Sequence, residues 1–146
     1  MGQETKGNLI SIGGPSEHVK VTLHVFGDDL DPDEITRRIG CAPTKAFRKG
    51  EVESKSGARR LRVAKTGKWF LGIESSDELE TVVESLFAQL TLDLDVWKDL
   101  VSRYKVDVFC GVFFDVGRLN GGFSLSPKVI HMLDERGLEI GFDIYW

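Results

Sequence analysis

Residues 18–26 read His-Val-Lys-Val-Thr-Leu-His-Val-Phe, and the apolar positions Val19, Val21, Leu23 and Val25 recur every second residue. A period of two is the signature of a strand with one buried face. His24 and Phe26 fall on the opposite face. Just downstream, Asp31-Pro32-Asp33-Glu34 opens a helix. Asp31 can cap it, Pro32 suits its first turn, and the acids favour the positive end of its dipole. Ile35 and Ile39 share one side, and Gly40 supplies the stop.

Working outward, Trp69, Leu71 and Ile73 alternate along a second strand, and Val106, Val108, Cys110, Val112 and Phe114 along a third. Leu138, Ile140, Phe142 and Ile144 mark a last strand. Between the second and third, Ser75-x-x-Glu78 matches a capping box ahead of a helical stripe of Leu79, Val82, Val83, Leu86, Phe87 and Leu90. After a break over 91–95 the stripe resumes through Val96, Trp97, Leu100, Val101 and Tyr104. Ser126-Pro127 opens a further helix that Gly137 closes. Residues 41–66 show no clear period and read as a solvated hairpin or arm.

Leu30-Asp31-Pro32 and Leu125-Ser126-Pro127 echo one another, each following a strand and opening a glycine-closed helix. The expected fold is therefore α+β: a two-layer ferredoxin-like sandwich with a small four- or five-stranded, mostly antiparallel sheet. Its helices lie on one face, and its strand-helix-strand units are pseudo-duplicated. Residues 1–17 read as a flexible tail and 18–146 as a single domain.

The chain has 146 residues, with 41% apolar and 29% charged. That composition excludes disorder, coiled coil and collagen-like repeats. No apolar run approaches the ~20 residues that span a bilayer. Met1 to Gly14 lacks a basic start and an apolar block, so no signal peptide is expected. Cys41 and Cys110, far apart and without metal-ligand spacing, suit a reducing cytoplasm.

A net charge of -4 hides a segregation. Residues 37–68 carry Arg37, Arg38, Lys45, Arg48, Lys49, Lys55, Arg59, Arg60, Arg62, Lys65 and Lys68 against only Glu51 and Glu53. Such a ribbon either receives an anionic partner or is compensated by carboxylates of its own chain.

The remaining chemistry has bland explanations. Asp28, Asp29, Asp31, Asp33 and Glu34 cluster, but Pro32 breaks the spacing of a calcium loop, and helix capping accounts for the acids after Leu30. His18, His24 and His131 form no zinc spacing. Cys110 reads as a buried thiol, leaving Cys41 as the reactive candidate. Gly117 to Gly122 lacks the pattern of a phosphate-binding loop. Opposite the aliphatic strand positions lie His24, Phe26, Phe70, Glu74, Asp107, Phe109, Phe113, Asp143 and Tyr145. These rings form either a stacking platform or a surface covered by the basic arm or a second copy.

With these landmarks in place, the chain resembles a bacterial family, domain of unknown function 4279. The matching pieces are the opening strand, Asp31 to Ile35, Arg48-Lys49-Gly50-Glu51, Gly67-Lys68-Trp69, Leu125-Ser126-Pro127 and Leu138 to Tyr145. The resemblance implies a single-domain cytoplasmic bacterial protein and carries no reaction with it.

The leading expectation is a non-catalytic binding module without cofactor or metal. Its basic segment, through Arg48, Lys49, Arg59, Arg60, Arg62, Lys65, Lys68 and Trp69, would recognise an anionic ligand, a nucleic acid or an acidic protein. Two alternatives stand beside it: an acidic adaptor or immunity-type protein that masks a basic partner, and a small enzyme using Asp28, Asp29 or His24. A homodimer is compatible with each.

Overall fold

The computed structural model describes residues 15–54, 61–117 and 119–146. In chain order the elements are β1 (His18–Gly27), α1 (Pro32–Ile39), β2 (Lys45–Phe47), β3 (Val52–Ser54), β4 (Arg62–Val63) and β5 (Gly67–Ser75). There follow α2 (Leu79–Ala88), α3 (Leu94–Arg103), β6 (Lys105–Phe113), α4 (Pro127–Glu135) and β7 (Glu139–Tyr145).

Strand β1 is hydrogen-bonded along both edges. It runs antiparallel to β5, from Val19 opposite Ser75 to Gly27 opposite Gly67, and antiparallel to β6, from His18 opposite Phe113 to Phe26 opposite Lys105. The five-stranded order is β2-β5-β1-β6-β7, and β3 and β4 form a separate two-stranded ladder. β2 is antiparallel to β5, and β7 is parallel to β6. The illegible stretch 41–66 thus holds a short edge strand and a hairpin, and residues 55–60 of it lie outside the described residues. Residues 1–14 of the expected tail lie outside them too.

The helices form where the local chemistry placed them, with one exception. Asp31 accepts a hydrogen bond from the N–H of Asp33 at 3.0 Å. Gly40 closes α1 at φ 86°, a left-handed conformation that costs glycine least, and its N–H reaches Thr36 O. Ser126 caps α4, and Asp93 caps α3. The capping box expected at Ser75 is not formed. α2 starts at Leu79 behind Glu78, without a side-chain cap, while Ser75 Oγ accepts from the N–H of Asp77.

One hydrophobic cluster joins Val19, Val21, Leu23 and Val25 to Trp69, Val108 and Cys110 and to the buried sides of all four helices. The helices therefore lie on one face of the sheet, as the alternation of β1 requires. β1 and β2 run in the same direction with β5 between them, and β5 and β6 share a direction with β1 between them. β6 and β7, joined through α4, are direct neighbours. The two echoing units consequently close differently. After α1 the chain goes first to the sheet edge as β2 and only then returns as β5.

Glycines Gly27 and Gly67 face each other where β1 meets β5. A Cβ added at Gly67 would sit 2.5 Å from Gly27 O and 2.8 Å from Leu30 Cβ, so the backbone must shift to admit it. Gly67→Ala is expected to lower unfolding free energy by about 1–3 kcal/mol, read from urea midpoints at constant slope.

Candidate functional site

Part of the basic ribbon is engaged within its own chain. Arg48 pairs with Asp31 at 2.9 Å and Asp33 at 3.3 Å, Lys49 with Asp28 at 3.1 Å, and Lys68 with Glu53 at 2.9 Å. Arg38 is held by Asp99 of α3. Hydrogen bonding to Lys49 keeps the Asp28 carboxyl below the usual carboxylate range. Asp31 is lowered first by the N–H of Asp33 and then by Arg48. Arg62 and Lys65 remain exposed beside the exposed side chains of Leu61 and Val63. Arg59 and Arg60 lie outside the described residues.

Trp69 corrects the expectation that placed it on the recognition surface. It is fully buried, and its indole N–H donates to Thr36 Oγ1 at 3.0 Å. Strand alternation turns Trp69 inward while its neighbours Lys68 and Phe70 turn outward.

The outward face of the sheet holds a cavity of about 470 Å³ instead. Lys20, Thr22 and His24 come to it from β1, Phe70 and Gly72 from β5, Phe109, Gly111 and Phe113 from β6, Tyr145 from β7, and Thr44 and Lys45 from the sheet edge. Register explains the gathering: Thr22 stands opposite both Gly72 and Phe109, and Phe70 lies between Lys45 and His24. The glycines leave gaps in a wall that the rings build up. His24 meets Phe70 at 4.6 Å between ring centroids and lies near-parallel to Phe109 at 6.0 Å. Phe113 stacks between His18 at 4.3 Å and Tyr145 at 4.6 Å.

Two carboxylates on this face, Asp107 and Asp143, are hydrogen-bonded within the chain. Asp107, an acceptor only, takes the Nδ1 hydrogen of His24 at 2.9 Å, which fixes the tautomer and leaves Nε2 as the second polar atom of the ring. Tyr145 donates its hydroxyl to Asp143 at 3.2 Å, and that bond holds the phenol pKa above its ordinary value. Glu74 lies 3.9 Å from His18 Nε2. Lys20 and Lys45 are exposed and have no carboxylate within salt-bridge distance among the described residues.

The enzyme candidates do not converge. His24 lines the cavity, Asp28 is tied to Lys49, and neither Asp28 nor Asp29 is among the lining residues. Among the described residues no three His, Cys, Asp or Glu side chains are placed to hold a metal ion, and no helix is long and apolar enough to cross a membrane. The sequence pointed to the aromatic face and, within the basic segment, to Lys45, but missed Lys20, Thr22, Thr44, Gly72 and Gly111. Gly72, a glycine inside a strand, was the available signal for an opening there.

Residues 17–146 match the family model described as Domain of unknown function (DUF4279), and the chain belongs to that family. No curated protein and no solved structure matches it.

The ion pairs between α1 and α3 make stability pH-dependent. Glu34 is lowered first by its hydrogen bonds from Arg103, Asp99 first by Arg38 and then by Arg103. Carboxylates depressed in the folded state stabilise it above their unfolded pKa, and that contribution is lost as they protonate. Urea midpoints should hold steady from pH 7 to about 5 and fall below about pH 4. Arg103→Met should lower the neutral-pH midpoint and make the acid fall shallower.

Proposed function

We propose that this member of the DUF4279 family is a non-catalytic binding module that receives an anionic ligand on its open sheet face. The observation that carries the reading is the pair of lysines, Lys20 and Lys45, that line the cavity outside any ion pair among the described residues. The neighbouring carboxylates Asp107 and Asp143 are hydrogen-bonded within the chain, while Lys20 and Lys45 have no such partner among the described residues. An approaching anion meets two ammonium groups that no ion pair among the described residues holds, with Glu74 opposite Lys20 in the sheet register.

Lys45 is the contribution of the basic segment; Arg48, Lys49 and Lys68 serve the fold's own ion pairs. A cavity of about 470 Å³ suits a small molecule. A polynucleotide would need a phosphate-tracking groove that extends beyond it. The frame is best read as ferredoxin-like, supported by the order β2-β5-β1-β6 with β5 and β1 interposed between same-direction strands. Two free thiols, Cys41 and Cys110, support a cytoplasmic setting.

Titration with 1-anilinonaphthalene-8-sulfonate, an anionic aromatic fluorophore, tests the location. Saturable binding with one site per chain is expected, weakened roughly three- to tenfold by Lys20→Ala or Lys45→Ala. Arg62→Ala and Lys65→Ala should leave it unchanged. Sensitivity to the second pair and indifference to the first would move recognition to the hairpin and sink the proposal.

A further inference from the structure

We infer that the ligand is a small aromatic acid: one flat ring carrying one oxyanion group, with the oxyanion over Gly72 and the ring against Phe70, His24 and Phe109. This rests on the anion-binding reading above and sharpens it to a chemical class.

Three glycines interrupt the open face, and two of them stand against an aromatic ring. A Cβ added at Gly111 would meet the Phe113 ring at 3.2 Å, and one at Gly141 the Phe109 ring at 3.4 Å. At Gly72 the three nearest atoms belong only to Thr22 and the Val21 carbonyl, at 3.3 Å and beyond. Gly72 is therefore the one edged by a hydroxyl and a carbonyl instead of a ring, and it lies in the cavity wall.

The rim of that gap is polar in one sense. Thr44 Oγ1 accepts the Gly72 N–H at 3.0 Å, which leaves the Thr44 hydroxyl hydrogen to donate outward. Thr22 offers a second hydroxyl, and Lys45 follows Thr44 in the chain and lines the same cavity. Two hydroxyl donors and an ammonium suit a compact oxyanion.

Next to the rim the wall changes character. Phe70 and His24 stand one register step from Gly72 and Thr22, and Phe109 stands across from Thr22. The near-parallel His24 and Phe109 rings are 6.0 Å apart, too close to admit a third ring between them, so a ligand ring lies over the array. A flat ring gains offset or edge contacts with such a surface that a puckered ring cannot match. The cavity volume of about 470 Å³ suits a single small molecule.

The test compares 2-naphthoate, 2-naphthyl phosphate, 2-naphthamide and the size-matched saturated acid decahydro-2-naphthoate by calorimetry, with amide NMR shifts of Thr22 and Gly72 as the site readout. One of the two naphthyl anions should bind at least about tenfold more tightly than either the neutral amide or the saturated acid. Which of them leads assigns the head group as carboxylate or phosphate. Gly72→Val should fill the gap and abolish the shifts while circular dichroism and thermal midpoint show a folded chain; Gly72→Ala, a smaller filler, should weaken binding less.

Equal binding of decahydro-2-naphthoate would overturn the aromatic class and leave the anion site standing. Equal binding of the amide would overturn both. Binding of a ten-residue oligothymidylate more tightly than either naphthyl anion, abolished by Lys20→Ala and Lys45→Ala, would overturn the small-acid class in favour of a single strand.

Discussion

Strand β1 constrains everything else, because both of its edges are hydrogen-bonded and both of its faces are used. A register slip of one residue would send Val19, Val21, Leu23 and Val25 to solvent and Lys20, Thr22 and His24 into the core. The same pleat that buries four aliphatic side chains sets out one wall of the cavity. Fold and candidate site are two sides of one periodicity, so changes that loosen β1 act on both.

The ion pairs around the first helix show how a charged segment is neutralised by topology. Arg38 reaches Asp99 and Arg103 reaches Glu34, which ties α1 to α3. At exposed positions such pairs add little stability individually, but together with those of Arg48, Lys49 and Lys68 the Arg38 pair compensates part of the segment's positive charge. What is left for an external anion is set by which lysines the fold does not use. Lys45 and Lys20 come from different strands, and the sheet brings them to one cavity.

Much of this architecture was legible in short-range pattern. The alternation of β1, β5 and β6, the caps at Asp31 and Ser126, and the stop at Gly40 each depend on residues within a turn or two. The site was less legible because its contacts span the chain: His24 and Asp107 are 83 positions apart, and Arg38 and Asp99 are 61. β2, with three residues, is too short to display any period. Trp69 follows the alternation of Leu71 and Ile73 into the core, although its neighbour Lys68 belongs to the basic segment.

The helix-facing side of β6 carries Cys110, whose side chain is wholly buried and whose thiol pKa burial pushes up to about 12. A thiolate is the reactive form, so alkylating reagents meet an inert group while the layers stay together. Cys41 is partly exposed. One sulfur therefore registers the surface, and the other registers only those moments when the sheet and its helices part. The pair gives this chain a built-in chemical clock for opening that needs no added label.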